Sequence, residues 1–135
     1  MIRKVVGIAG RELSLSNLDK VLYPSRGFTK ARVLDYYRRI ADHMLPHLKD
    51  RALTLKRYPD GVGGEFFFEK RCPSHRPEWA QTAELIQGGE KMTFCLVNDL
   101  ETLIWVANLA ALELHVPLAR ASSPKTPDSV VFDLD

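Results

Sequence analysis

Apolar and polar positions along the chain change period several times, and each change predicts an element. The opening runs "IRKVVGIAG" and "RELSL" read as two short strands broken at Gly10. The stretch "SNLDKVLYPSRGF" has no clear period and is expected to be irregular, closed by Pro24 and Gly27. From Thr29, a fitting N-cap, Val33, Tyr37, Ile40, Ala41 and Met44 recur at helical spacing to about Leu45, where Pro46 should end the helix. "ALTLKRYPDG" predicts a strand stopping at Pro59 with a turn through Asp60 and Gly61, and "EFFFEK" predicts the next strand. Two more strands are expected at about 81–86 and 92–97, joined at Gly88-Gly89. Asn98, with Glu101 three residues on, has the form of a capping box for a second helix whose buried stripe is Leu100, Leu103, Ile104, Ala107 and Ala111. "LELHVP" then leaves the helix as an extended segment. "RASSPKTPDS" reads as a solvated loop delivering the chain into a final strand, "VVFDLD". The expected fold class is α+β (mixed α/β), one domain over residues 1–135 with a largely antiparallel sheet and two main helices.

Composition narrows the class. At 135 residues, 45% hydrophobic and 27% charged, the chain can bury a real core, and most of it should be ordered. It has no apolar run of membrane-spanning length, and "MIRKVVGIAGREL" is too short and too charged for a secretory signal, so a cytoplasmic protein without a membrane partner is expected. In that compartment Cys72 and Cys95 are expected to be a reduced, partly buried pair. Charge is polarised along the sequence. Residues 1–58 hold 13 Lys and Arg against 5 Asp and Glu, whereas residues 59–135 hold 6 against 12, which suggests a basic surface for an anion and a separate acidic cluster.

Several stretches carry candidate chemistry. Lys20 and Lys30 flank a Pro- and Gly-containing loop, Asn17 adds an amide, and a helix starting near Thr29 would point its N–H groups the same way; such a loop suits a phosphate. The plainer reading is a capped helix with scattered surface lysines. Lys56 and Arg57 fall on opposite faces of a strand. In "FFFEK", Phe66 and Phe68 share a face and Phe67 takes the other, so at least one ring should be exposed, as in proteins that stack single-stranded bases; a doubly buried strand is the plainer alternative. His115 fits a core position as readily as a cleft. "CPSH" is half a zinc site with no second half, which argues against structural zinc. Asp133 and Asp135, alternate residues of an expected strand, point the same way and suit a hard divalent metal.

Taken in order, "LSNLDKVLYPSRGFTKARVLDYYRRIADHMLPHL", "LKRYPDGVGGEFFFEK", "LALELHVP" and "VFDLD" resemble the polymerase domain of bacterial DNA ligase D, of the archaeo-eukaryotic primase superfamily, over essentially the whole chain. The resemblance implies DNA-end binding in non-homologous end joining. It implies that Asn17, Lys20 and Lys30 receive a downstream 5′-phosphate and that Phe67 and Phe68 pack on template bases. Lys56 and His115 would lie near a nucleoside triphosphate, and Asp133 and Asp135 would be catalytic ligands for Mn2+ or Mg2+. The family's Ser-x-His motif and third metal-binding Asp have no counterpart here, so the chain is expected to correspond to the N-terminal part of such a domain, as a truncated homologue, split half or fragment, inactive as a nucleotidyltransferase by itself. Two alternatives stand beside that reading: a stand-alone DNA-end-binding module, or a subunit completed by a second chain. A D-x-D glycosyltransferase would explain only the terminal motif. Expected partners are gapped or recessed DNA, ligase, nuclease and Ku-type end-joining proteins in a bacterial or archaeal nucleoid, and a second copy across an uncovered sheet edge as a homodimer.

Overall fold

The computed structural model describes residues 2–135, and its organisation follows from where leucine-rich faces can meet. Strands β1 (Arg3–Ile8) and β2 (Arg11–Ser16) form an antiparallel hairpin, with Arg3 opposite Ser16 and Ile8 opposite Arg11. Its two-residue turn, Ala9-Gly10, has positive φ at both positions, the geometry that matches strand twist. Alternation on β2 turns Leu13 and Leu15 inward. The next stretch is more regular than its sequence implies: β3 (Val21–Tyr23) and β4 (Phe28–Thr29) pair across a 3-10 turn at Pro24–Arg26.

Helix α1 (Lys30–Leu48) starts where expected, with Thr29 Oγ1 accepting the Arg32 N–H. It does not stop at Pro46. In the last turn the ring forfeits one backbone bond, while the Lys49 N–H still reaches Leu45 O at 2.9 Å and Leu48 is buried, so the helix continues two residues further. Helix α2 (Leu100–Asn108) begins one residue later than the capping-box reading, at Asp99, whose Oδ1 accepts the Thr102 N–H at 3.1 Å. Asn98 is engaged elsewhere: its Oδ1 accepts the Asp50 N–H and its Nδ2 donates to Gln81. Residues Glu101 to Ala107 of α2 are buried all round, so this helix is the centre of the core, packed against α1 and β2.

The three-stranded sheet has the order β6 (Phe67–Glu69), β5 (Thr54–Arg57), β9 (Ala111–His115), antiparallel throughout. Leu55 faces the core, and the Tyr37 hydroxyl donates to Ala111 O at 2.8 Å, fixing α1 to the start of β9. After β5 the chain turns through Gly61, whose φ is +84°. A Cβ there would lie 2.8 Å from Leu22 O, so only glycine lets this turn press against β3. The remaining hairpin, β7 (Thr82–Gln87) and β8 (Glu90–Cys95), turns at Gly88-Gly89 as expected. The α+β class therefore holds.

Two further expectations fail. Cys72 and Cys95 form a disulfide, with Cα atoms 4.9 Å apart, rather than a reduced pair; sequence spacing says nothing of Cα proximity, which the loop after β6 creates by folding onto β8. Residues 129–135 form no strand, because alternation alone supplies no neighbour for a hydrogen-bond ladder, and Leu134 is 91% exposed rather than packed. The preceding loop is ordered by Arg51, which clamps Asp128 through two bonds of 3.0 and 3.1 Å, and by Ser122 donating to Asp50. No helix among the described residues is long and apolar enough to cross a membrane.

Candidate nucleic-acid interface

Neighbouring residues of β5 divide the chemistry between two faces. On one side lies a cleft of about 530 Å³ bounded by the β1–β2 hairpin, the start of α1, the end of α2 and the loop after β6. Asn17 stands at the end of β2 in the left-handed region (φ 56°), a conformation asparagine tolerates, and its carbonyl accepts the Lys20 N–H. The Lys30 N–H donates to Lys20 O and the Ala31 N–H to Leu18 O, so the turn 17–20 is bolted to the head of α1. These bonds, with the Thr29 cap, occupy the first three helical N–H groups. The expected contribution of a free helix terminus to phosphate binding is therefore replaced by side chains.

Asn17, Lys20 and Lys30 all line this cleft, and Arg57 and Arg3 join them, with Glu12 the acidic residue of the lining. Four of the cations of the first 58 residues are thus gathered in one place. Lys30 is the unusual member. It is 5% exposed, its Nζ donates to Ser16 O at 2.7 Å, and burial first, then the charges of Lys20 and Arg57, lower its pKa to about 8. Lys20 is freer, held by Asp60 at 2.9 Å on the surface. Arg57 is fixed from two sides, donating to Leu109 O at 2.8 Å and to Glu69 at 3.1 Å, with its guanidinium 5.0 Å from the Phe67 ring centre. Asn108 braces the hairpin by accepting the Ser16 N–H and donating to Ser14 O. His75, considered above only as half a zinc site, lies in the cleft wall, while Cys72 is taken by its disulfide.

The opposite face of β5 carries Lys56. Across the ladder it meets Phe68 on β6 and Glu113 on β9, and the Lys56 Nζ lies 3.4 Å from the Glu113 carboxylate. Glu113 also contacts His115 Nε2 at 3.3 Å. The His115 hydrogen bond, followed by Lys56, holds Glu113 below the usual carboxylate range, and Lys56 is raised first by Tyr58 and then by Glu113. His115 is exposed, not a core histidine. Phe67 and Phe68 lie on opposite faces, so the ring that accompanies Phe68 is Phe66, with centres 5.9 Å apart. All three phenylalanines are substantially exposed, so the doubly buried alternative fails.

Asp133 and Asp135 lie on an exposed segment without regular structure. Their hard oxygen donors suit Mn2+ or Mg2+ in kind. They do not suffice in number: among the described residues no group of three or more His, Cys, Asp or Glu side chains is placed to hold a metal. Sequence reasoning had passed over Arg3, Asn108 and Tyr58. For Tyr58 the available signal was alternation: two residues beyond Lys56, it shares that residue's face.

A basic cleft and an aromatic face thus lie on two sides of one antiparallel sheet. The family model for the LigD primase-polymerase domain matches residues 29–135, and the chain belongs to that family. The multifunctional non-homologous end joining protein LigD of Mycolicibacterium smegmatis is 46% identical over 125 residues, covering 90% of this chain and 16% of that protein. The bifunctional non-homologous end joining protein LigD of Bacillus subtilis is 36% identical over 124 residues, covering 92% and 20%. The chain thus spans a fifth or less of the length of these relatives. The polymerase domain from Mycobacterium tuberculosis ligase D, solved in complex with DNA, superposes with a TM-score of 0.78 at 41% identity, over 80% of this chain and 38% of that one.

Proposed function

We propose that this chain is the DNA-end-binding part of an end-joining polymerase domain, and that its cleft receives the 5′-phosphate of a downstream DNA strand. One observation carries the reading: Asn17, Lys20 and Lys30, assigned to that phosphate by resemblance, line a single cleft with Arg57 and Arg3. A phosphate there would meet ammonium and guanidinium donors and displace Asp60 from Lys20. The relative solved with DNA supports DNA as the polyanion. Lys56 and His115, linked through Glu113, suit the triphosphate side, and Asp133 and Asp135 would supply two oxygen ligands to Mn2+ or Mg2+, the remaining ligands coming from other groups. The unit occupies residues 1–135. Cytoplasmic placement, Ku-type, ligase or nuclease partners and self-association along β6 or β9 belong to the same proposal.

The test is binding to gapped DNA with and without the downstream 5′-phosphate. The chain is expected to prefer the phosphorylated gap, with affinity falling steeply as salt rises through counterion release, and Lys20→Ala with Lys30→Ala is expected to erase the preference. A double variant that folds and still discriminates would place the pocket elsewhere. A flat salt response would remove DNA as the ligand.

A further inference from the structure

The loop between β6 and β7, residues 70–81, supplies His75 and Pro77 to the wall of the cleft. It is fastened at its two ends and not along its middle. The Cys72 N–H donates to Thr93 O at 2.8 Å, and Gln81 O accepts the Leu96 N–H at 3.0 Å. Among the described residues, the backbone between those points bonds only to itself, Arg76 to Pro73 O and Ala80 to Pro77 O. Trp79 steadies the far end beneath Arg11, whose guanidinium lies 5.4 Å from the ring centre. At the near end the fastening is covalent. Cys72, three residues before His75, is bonded to Cys95, and Cys95 O accepts the Leu53 N–H at 3.1 Å, just ahead of β5. One wall of the cleft is thus held to β8 and the root of β5 by a bond that exists in only one redox state.

We infer that Cys72 and Cys95 are a thiol–disulfide switch for the cleft: the oxidised pair holds the His75 wall in place for a phosphate, and the reduced pair releases it. The inference rests on the phosphate reading of the cleft and adds its regulation. The chemistry is exchange with a dithiol reductant. One thiolate of the reductant attacks a sulfur of the pair, breaking the bond between Cys72 and Cys95 and forming a mixed disulfide, which the reductant's second thiol then resolves. Two electrons and two protons pass to the protein, which ends with two thiols while the reductant ends as a disulfide. The chain has two cysteines, so the reductant has no other target. Cys72 is 4% exposed and Cys95 2%, so attack requires the loop to lift from β8, and the movement that admits the reductant is the one that removes the wall. After reduction Cys72 keeps its backbone bond to Thr93, and a phosphate must order the loop before His75 and Pro77 can close on it. In the oxidised chain the cross-link has already done that ordering.

The experiment measures affinity for gapped DNA, with and without the downstream 5′-phosphate, at a temperature where circular dichroism shows each protein folded. It compares the oxidised chain, the chain reduced with excess dithiothreitol, and the double variant Cys72→Ser with Cys95→Ser. The oxidised chain is expected to prefer the phosphorylated gap, and reduction to lower that preference by about 3- to 10-fold. Reoxidation should restore it, and the double variant should match the reduced chain with or without dithiothreitol. Arg51→Ala, destabilised away from this loop, controls for a general loss of stability and should keep the preference. Trypsin cleavage after Lys70 and Arg71 is a second readout that does not depend on the serine variant folding: faster in the reduced chain, and slowed by the phosphorylated gap. A preference lowered less than about threefold, equal cleavage of the oxidised and reduced chains, or two free thiols after treatment with oxidised glutathione overturns the switch. If the oxidised chain keeps its phosphate preference in that case, only this inference fails; if it shows none, the cleft assignment fails as well.

Discussion

The cleft around Lys30 gathers cations and the segment around Asp133 carries two carboxylates, and the two regions are built differently. Three cations of the cleft are each placed by something else: Lys30 by Ser16 O, Lys20 by the Asn17 turn, Arg57 by Leu109 O and Glu69. Asp133 and Asp135 follow a loop that Arg51 fastens at Asp128, and beyond that clamp the chain has no ladder and exposed apolar side chains. A binding site can be assembled from local turns and one helix start. A two-ligand metal site has to be organised by neighbours it does not itself contain.

The largest expected effect tests that contrast directly. In primer extension on gapped, phosphorylated template with manganese, the chain and its Asp133→Ala variant should both show no template-dependent synthesis, because unplaced ligands forfeit at least about 10²- to 10³-fold in rate. Extension by the chain that disappears in the variant would break the comparison.

The cleft side is sharpened by pH. Lys30 has a folded pKa of about 8 against 10.5 ordinarily, so between those values the unfolded chain binds more protons than the folded one. Its unfavourable contribution is full below pH 8 and is relieved as pH rises, by up to about 3 kcal/mol. Thermal melts should therefore show this stabilisation between pH 8 and about 10, and phosphate binding should weaken over the same interval as Lys30 loses its charge. Lys30→Met should remove the stability trend. Parallel movement of stability and binding would contradict the assignment.

A comparable loss is expected on reducing the Cys72–Cys95 disulfide, which closes a loop of sequence separation 23 and anchors the strand-to-loop junction leading to His75. Reduction should lower stability by about 3 kcal/mol in denaturant titrations. A smaller loss should follow Arg51→Ala: a melting point lower by a few degrees, faster proteolysis between residues 118 and 135, and an unchanged phosphate preference. Loss of that preference would show that the two regions are mechanically joined.

Local chemistry was legible in the sequence: Thr29 caps α1, Gly88-Gly89 turns the β7–β8 hairpin, and alternation separates Phe67 from its neighbours. What depended on distant partners was not. Asn98 looks like a cap until Asp50 and Gln81 claim its amide, and two cysteines in different elements give no sign that folding brings them together. The same limit applies to the site. Spacing grouped Asn17, Lys20 and Lys30, but nothing in residue type reveals that Lys30 is buried, or that the helix N–H groups beside it are already bonded to the preceding turn.

Lys56 and Arg57 are consecutive residues of one strand, facing opposite ways, and this makes β5 a shared wall between the basic cleft and the aromatic face, the two surfaces proposed to bind. Two ligands that load one wall are thermodynamically linked. If a phosphate drawing on Arg57 steadies the strand and thereby favours bases beside Lys56, those bases must favour the phosphate by the same factor. The coupling between a phosphate-only and a base-only ligand, measured in either order of addition, is therefore a single number that reports how stiffly four residues of backbone connect the two faces.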